Sequence, residues 1–413
     1  MTNRSNSRIE YLDAVRAFAL LLGIVFHASL SFVPIFIGWA VMDVSTSSNV
    51  QRFMLVSHSF RMELFFLIAG FFSHLTFHRK GATTFLISRI TRIAIPFLVG
   101  WFILRPLMVS GWIMGAASLR GSVNVVEGLR VGFQSLESLP AGIFTGSHLW
   151  FLYYLILITF VVLAVRSILS ISQGAHAWLS ATGDRLATRL SESRWGIFAL
   201  SVPTAACLWF MSAWGMDTPD KSLVPHWPTF LIYGSFFSLG WLLHRNGNLI
   251  TRFGSLSKFK FAIAIVSIAL TIYLERYQFQ PSHSQYDLIH SAFVLSYALM
   301  MWSLVGITLG VFKWLLDRPN RWVRYIADAS YWLYLIHLPI VVWLQVAFAE
   351  LPFHWTFKLT AISVLTVGIS LLLYDLFVRS TIIGQILNGR KRERVIFKLP
   401  NSVGEGSHAN QTV

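Results

Sequence analysis

The residues that stand out are ionisable groups inside apolar runs. Asp13, Arg16 and His27 lie in the first such run, and His58, Arg61 and Glu63 lie in the second. On a helix, eleven residues at 100° each return to within about 20° of the starting direction, so Arg16 and His27 share a face about 16 Å apart along the axis. Asp13, three residues before Arg16, falls near that face and can pair with it. A histidine at such depth is either a hydrogen-bonded packing residue or a proton acceptor facing its own bundle, and the alignment with Arg16 favours the second. Arg61 and Glu63 must find partners or water, as an ion pair between helices or as parts of a site. Arg89 and Arg92, three apart, set two planar forks on one helix face, which suits phosphate or anchoring at a basic membrane face. His148, before Leu149 and Trp150, opens a fourth apolar run, and His337 follows Ser330, Tyr331 and Tyr334 in a late one. Interface placement and packing are the plainer readings of these two.

No Gly-rich phosphate loop, G-x-S-x-G elbow or H-E-x-x-H helix occurs, so a histidine general base is the chemistry that remains. Acyl transfer from a thioester to a hydroxyl requires a base for the hydroxyl proton and a cation or hydrogen-bond donor for the developing oxyanion. It also requires a place for the donor's phosphates. The one cysteine, Cys207, excludes an intrachain disulfide and a multi-cysteine metal site, and reads as a buried structural thiol.

The elements that must hold these groups follow from composition. Apolar residues make up 55% of the 413, charged ones only 12%, and mean hydropathy is +0.61, a balance suited to a bilayer rather than to water. The chain reads as an all-α integral membrane protein of about ten transmembrane helices, near 11 to 36, 52 to 77, 92 to 112, 147 to 167, 194 to 214, 227 to 244, 258 to 275, 287 to 315, 324 to 347 and 357 to 379. No cleavable leader is expected, because the first run carries Arg16 and His27 and stays as a span. Basic residues fall in alternate connections, which puts both termini in the cytoplasm and assigns the +15 charge to orientation and anionic lipid, not nucleic acid. A bacterial inner membrane is the expected location. Residues 1–10 form a cytoplasmic N-terminus, 11–380 the membrane domain, and 381–413 a cytoplasmic tail, disordered from about Asn388. The longest connection, 113 to 146, includes a surface helix near Val123 to Leu136 and is placed outside, where it can contact an acceptor.

The pattern as a whole resembles the acyltransferase-3 family of membrane O-acyltransferases. It rests on Arg16-x10-His27, the Phe-rich charged run from Glu63 to Phe71, Arg89-x2-Arg92, His148-Leu-Trp and Ser330-Tyr-x2-Tyr-x2-His337, in order over residues 9 to 380. Tyr11 to Ala17, His58 to Met62 and Ser147 to Phe151 look most like members that succinylate osmoregulated periplasmic glucans. Glu63 stands where the family commonly has Asp and keeps the carboxylate, whereas Ala69 replaces a common Ser and is assigned no chemistry. The resemblance implies His27 as general base, with Arg16 and Glu63 as catalytic partners. It implies Arg89 and Arg92 on the phosphates of a cytoplasmic acyl-coenzyme A, succinyl or acetyl, and an acceptor glycan outside. His148 and His337 enter as substrate-binding residues, and Arg61 as a cation for a succinyl carboxylate. No metal and no permanently bound cofactor is implied. Acetylation of another envelope glycan or small acceptor stays open, as does a proton-coupled transporter using the same buried groups.

Overall fold

Hydrocarbon offers a backbone no partner but itself, so apolar runs of this length fold as helices. The computed structural model describes residues 9–118, 121–137 and 147–396, and among the described residues every regular element is helical. The first half of the chain forms α1 (Glu10–Ser29), α2 (Ser48–His58), α3 (Arg61–Arg89), α4 (Ile95–Ser118), α5 (Val125–Gln134), α6 (Trp150–Ser170) and α7 (Gln173–Glu192). It continues as α8 (Gly196–Leu208), α9 (Trp227–Arg245), α10 (Leu249–Phe253), α11 (Lys258–Glu275) and α12 (Tyr286–Leu316). The last helices are α13 (Arg321–Phe348), α14 (Trp355–Leu373) and α15 (Ile382–Asn388).

Each of the ten expected segments contains a helix. Six segments are long and apolar enough to cross a membrane: Glu10–Phe32, Ser48–Ser118, Trp150–Ser170, Tyr286–Leu316, Arg321–Phe348 and Trp355–Val378. The second of these runs 71 residues and holds both α3 and α4. Outside the six stand α8, only 13 residues long, α9, and α11, which carries Lys258, Lys260 and Glu275.

Two parallel pairings organise the bundle. Along α1 and α13, Arg324 donates to Glu10 (2.5 Å), Arg16 Nη2 donates to the Ala327 carbonyl (2.8 Å), and Gln345 Nε2 donates to the carbonyls of His27 and Ala28 (3.0 Å each). The second pair, α3 with α9, approaches backbone to backbone. A Cβ at Gly70 would lie 1.9 Å from the Phe237 carbonyl oxygen, and one at Gly240 the same distance from that of Leu67, so both positions require glycine as small-residue helix contacts do. Glycine also folds α3 on itself: Gly81 takes φ +78°, and the Phe85 ring returns to within 5.7 Å of Phe77.

The connection after α1 is held across the ends of its neighbours. Asp43 and Lys358, both buried, pair at 2.7 Å, and Lys358 Nζ also donates to the Ala349 carbonyl (3.3 Å). This places Trp39 over the end of α1, its indole donating to Gln345 Oε1 (2.8 Å). The surface helix expected near Val123 to Leu136 is α5, laid on α4 by Gly128 and Gly132. Beyond Asn388 the chain departs from the expected disorder as far as residue 396. Arg392 pairs with Asp328, and the backbone N–H groups of Val395 and Ile396 donate to the Asp375 carboxylate (2.9 and 3.0 Å). Arg4, Arg8, Arg120 and the tail from 397, including Lys398, lie outside the described residues.

Removing one partner from the buried pair leaves the other charge uncompensated. Asp43→Asn or Lys358→Met alone should cost about 3–5 kcal/mol, and the double variant markedly less. Denaturant unfolding in mixed micelles measures both, and strictly additive losses would remove the pair from this role.

Candidate functional site

The first span delivers Gly23, Phe26 and His27 to one side of α1, while the start of α3 delivers Arg61 and the end of α2 delivers His58. A cavity of about 60 Å³ lies between them, closed by His148, Tyr334 and His337. Four histidines from α1, α2, α13 and the turn before α6 thus share one small space. The His27 and His337 rings stand 5.3 Å apart, and His337 is 5.4 Å from His148.

Hydrogen bonding separates these histidines. His337 Nδ1 lies 2.7 Å from the Tyr334 carbonyl and 3.1 Å from that of Leu333, and a carbonyl only accepts, so Nδ1 carries the proton. By the same rule His148 Nε2 donates to the Leu335 carbonyl (2.8 Å) and His58 Nε2 to that of Met216 (3.1 Å). His27 is different: its Nδ1 is buried without a partner, and its ring is held by stacking on Trp39 at 5.9 Å. Among the four it is the imidazole with no proton committed to the backbone.

Arg61 crosses α1 where Gly23 has no side chain, and its guanidinium lies 4.2 Å over the Phe26 ring. Its Nη1 is buried with no hydrogen-bond acceptor. Glu63, also fully buried, has neither carboxylate oxygen hydrogen-bonded and does not line the cavity. Arg16 does not line it either: its guanidinium is pinned near the other end of α1 by Asp13 (3.2 Å) and the Ala327 carbonyl (2.8 Å). Helix α1 is continuous between them and holds Arg16 and His27 apart along its axis.

Neither Arg89 nor Arg92, at the junction of α3 and α4, lines this cavity. A π-helical turn, Ile90–Ala94, separates α3 from α4 there. Arg89 Nη2 donates to Ser73 Oγ (2.7 Å), while the Arg92 guanidinium lies against Gly389, where a Cβ would sit 1.5 Å from Nη2. Beside Ser73, His74 Nδ1 and His244 Nδ1 are 2.7 Å apart, so one ring donates to the other.

The model of the acyltransferase domain family matches residues 9–375, nearly the whole chain. The chain belongs to the acyltransferase-3 family. It is a multi-pass membrane acyltransferase, and the transporter reading falls away. Among curated relatives, glucans biosynthesis protein C of Salmonella schwarzengrund (strain CVM19633) is 24% identical over 93% of this chain and 95% of its own length. The protein of the same name from Salmonella agona (strain SL483) is 23% identical over the same shares. No solved structure matches this acyltransferase.

Two residues of the site, Gln345 and Trp39, carried little signal in the sequence. Gln345 joins the indole of Trp39 to the backbone of His27, and only its polarity inside an apolar helix marked it. Tyr334 donates to the His148 carbonyl (2.6 Å) and fixes the turn that carries this ring. Gln345→Leu in this acyltransferase should lower kcat roughly tenfold while KM for the thioester stays within about twofold, because misplacing a base costs rate rather than donor binding. Steady-state turnover in reconstituted membranes measures the split. Unchanged kcat would remove Gln345 as a positioning residue.

Proposed function

We propose that this acyltransferase moves a succinyl group from a cytoplasmic acyl-coenzyme A thioester to hydroxyls of a periplasmic glucan, working in the bacterial inner membrane. The observation that carries the proposal is the uncommitted imidazole of His27 sharing a buried cavity with the unspent guanidinium N–H of Arg61. His27 takes the proton of the acceptor hydroxyl as its oxygen attacks the thioester carbonyl. Arg61 faces the negative charge that develops on the carbonyl oxygen, where a fixed cation in a dry site acts most strongly. Collapse of the tetrahedral intermediate breaks the carbon–sulfur bond, and the proton held on His27 leaves with the thiol. Arg89 and Arg92 bind the donor's phosphates at the cytoplasmic entrance, Arg16 steadies its arm, and His148 and His337 border the reacting groups. Glu63 balances Arg61 as a buried carboxylate. The name of the similar Salmonella proteins supports a glucan acceptor.

Ten crossings with both termini cytoplasmic suit the helix directions. Taking α3 and α4 separately, the six qualifying segments would make α13 the sixth crossing and antiparallel to α1. The two run parallel, as they do when α8, α9 and α11 also cross and α13 becomes the ninth. Likewise α3 and α9, parallel from Phe66 beside Tyr233 to His74 beside His244, become the second and sixth.

The small cavity favours one second reading, since about 60 Å³ is well under the roughly 300–1,000 Å³ of ordinary ligand sites and suits an acetyl group. Arg61 separates the two. If its cation meets a free carboxylate, Arg61→Gln should reduce succinyl transfer at least about tenfold more than acetyl transfer; equal losses would leave it the oxyanion role alone. Coenzyme A release by reconstituted protein, given each thioester and a periplasmic glucan extract, should fall about 10²–10⁴-fold in His27→Ala. Acceptor-dependent release surviving in that variant would refute the base assignment.

A further inference from the structure

A second cavity lies away from the histidines. It measures about 180 Å³ and is enclosed by the α7–α8 and α10–α11 junctions over the Trp302 and Gly306 face of α12. Its lining is built for an anion. Arg194 and Lys260 both border it, against one carboxylate, Glu192, which is already paired with Arg252. Lys260 Nζ donates to the carbonyls of Phe253 and Ser255 (2.7 Å each), which fixes the ammonium in place with its third N–H unspent. The side chain lies along α12 beside Gly306, where a Cβ would be 3.6 Å from Lys260 Cδ, an ordinary contact distance.

Two helices begin at this cavity, α8 at Gly196 and α11 at Lys258, so the positive ends of both macrodipoles meet at one place, with the Gly196 N–H donating to the Ser193 carbonyl and the Lys260 N–H to Ser257 Oγ. An independent sign of a ligand is Ser191. This residue is 8% exposed, lines the cavity, and has a buried hydroxyl with no hydrogen-bond partner. A buried hydroxyl left unsatisfied beside two cations is costly unless something polar fills the space.

The surroundings select the ligand. At the rim, Trp195 packs against Phe198 (5.4 Å) and Phe259 (6.0 Å), an aromatic cluster of the type that sits at headgroup level. Directly beyond it the outer faces of α8 and α11 expose Val202, Ile265 and Val266, each more than 60% accessible, a surface for acyl chains. A cavity of this size, bordered by the Trp195 cluster and followed along α8 and α11 by exposed apolar residues, matches a phospholipid headgroup better than a soluble anion. We infer that this cavity binds the phosphate headgroup of an anionic phospholipid, held by Arg194, Lys260, Ser191 and the starts of α8 and α11. The orientation proposed above places it in the cytoplasmic leaflet, and only that placement rests on the earlier reading.

Thermal unfolding of the full-length protein in neutral detergent tests the site without any turnover. Phosphatidylglycerol should raise Tm by at least about 3 °C and phosphatidylcholine should not. Arg194→Gln and Arg194→Gln/Ser191→Ala should lose more than half of that rise. Neither replaced side chain holds a backbone carbonyl in the fold, so both variants should unfold within about 2 °C of the native protein without lipid. Native mass spectrometry of the unmodified protein gives a second readout, with phosphatidylglycerol retained against an excess of phosphatidylcholine. Equal effects of the two lipids, or a full rise in the variants, would overturn the site. Inorganic phosphate or coenzyme A stabilising in place of lipid would overturn the lipid assignment.

Discussion

The structure depends on one constraint: a polar group inside a bilayer-spanning bundle must find its partner within the protein. Along α1 and α13 that demand is met at three levels, by Glu10 with Arg324, Arg16 with the Ala327 carbonyl, and Gln345 with the His27 carbonyl. These contacts fix the rotation of α1, and with it the face that His27 presents. The same demand makes the exceptions informative. The Nδ1 of His27 and the Nη1 of Arg61 are buried and unpartnered on residues that line one cavity.

Neutral backbone carbonyls do much of the positioning. Three of the four cavity histidines each donate a ring proton to a carbonyl, which fixes their tautomers and directions without introducing a carboxylate. The buried carboxylate of α3's first turn, Glu63, stands off the cavity lining, and the charged side chain that does line it is Arg61. The cavity therefore presents fixed ring dipoles and one guanidinium, and in the proposed mechanism that guanidinium faces the oxyanion.

What the sequence made legible follows from what is local. The eleven-residue spacing of Arg16 and His27 gave their common face because α1 is an unbroken helix, and Gly70 in a Phe-rich run marked a close helix contact that Phe237 completes. The Arg89 and Arg92 spacing assumes α-helical rotation, and the sequence did not show the reversal at Gly81 or the π turn Ile90–Ala94 on which Arg92 sits. Order at residues 389–396 comes from Asp328 and Asp375, carboxylates whose partners are remote or follow a helix break, so basic composition alone could not show it. Gln345 and Trp39 act through a contact spanning 306 residues of sequence, beyond any local pattern.

The central claim is that His27 carries the hydroxyl proton during acyl transfer, not merely that it packs the site. Chemical rescue addresses this most directly: His27→Gly and His337→Gly proteins are assayed for acceptor-dependent coenzyme A release with increasing free imidazole. Imidazole should restore turnover to His27→Gly in a concentration-dependent way and do little for His337→Gly, whose Nδ1–H is held by carbonyls. A folded His27→Gly protein that stays inactive at every imidazole concentration, while His337→Gly recovers, would contradict it and move the base to His337.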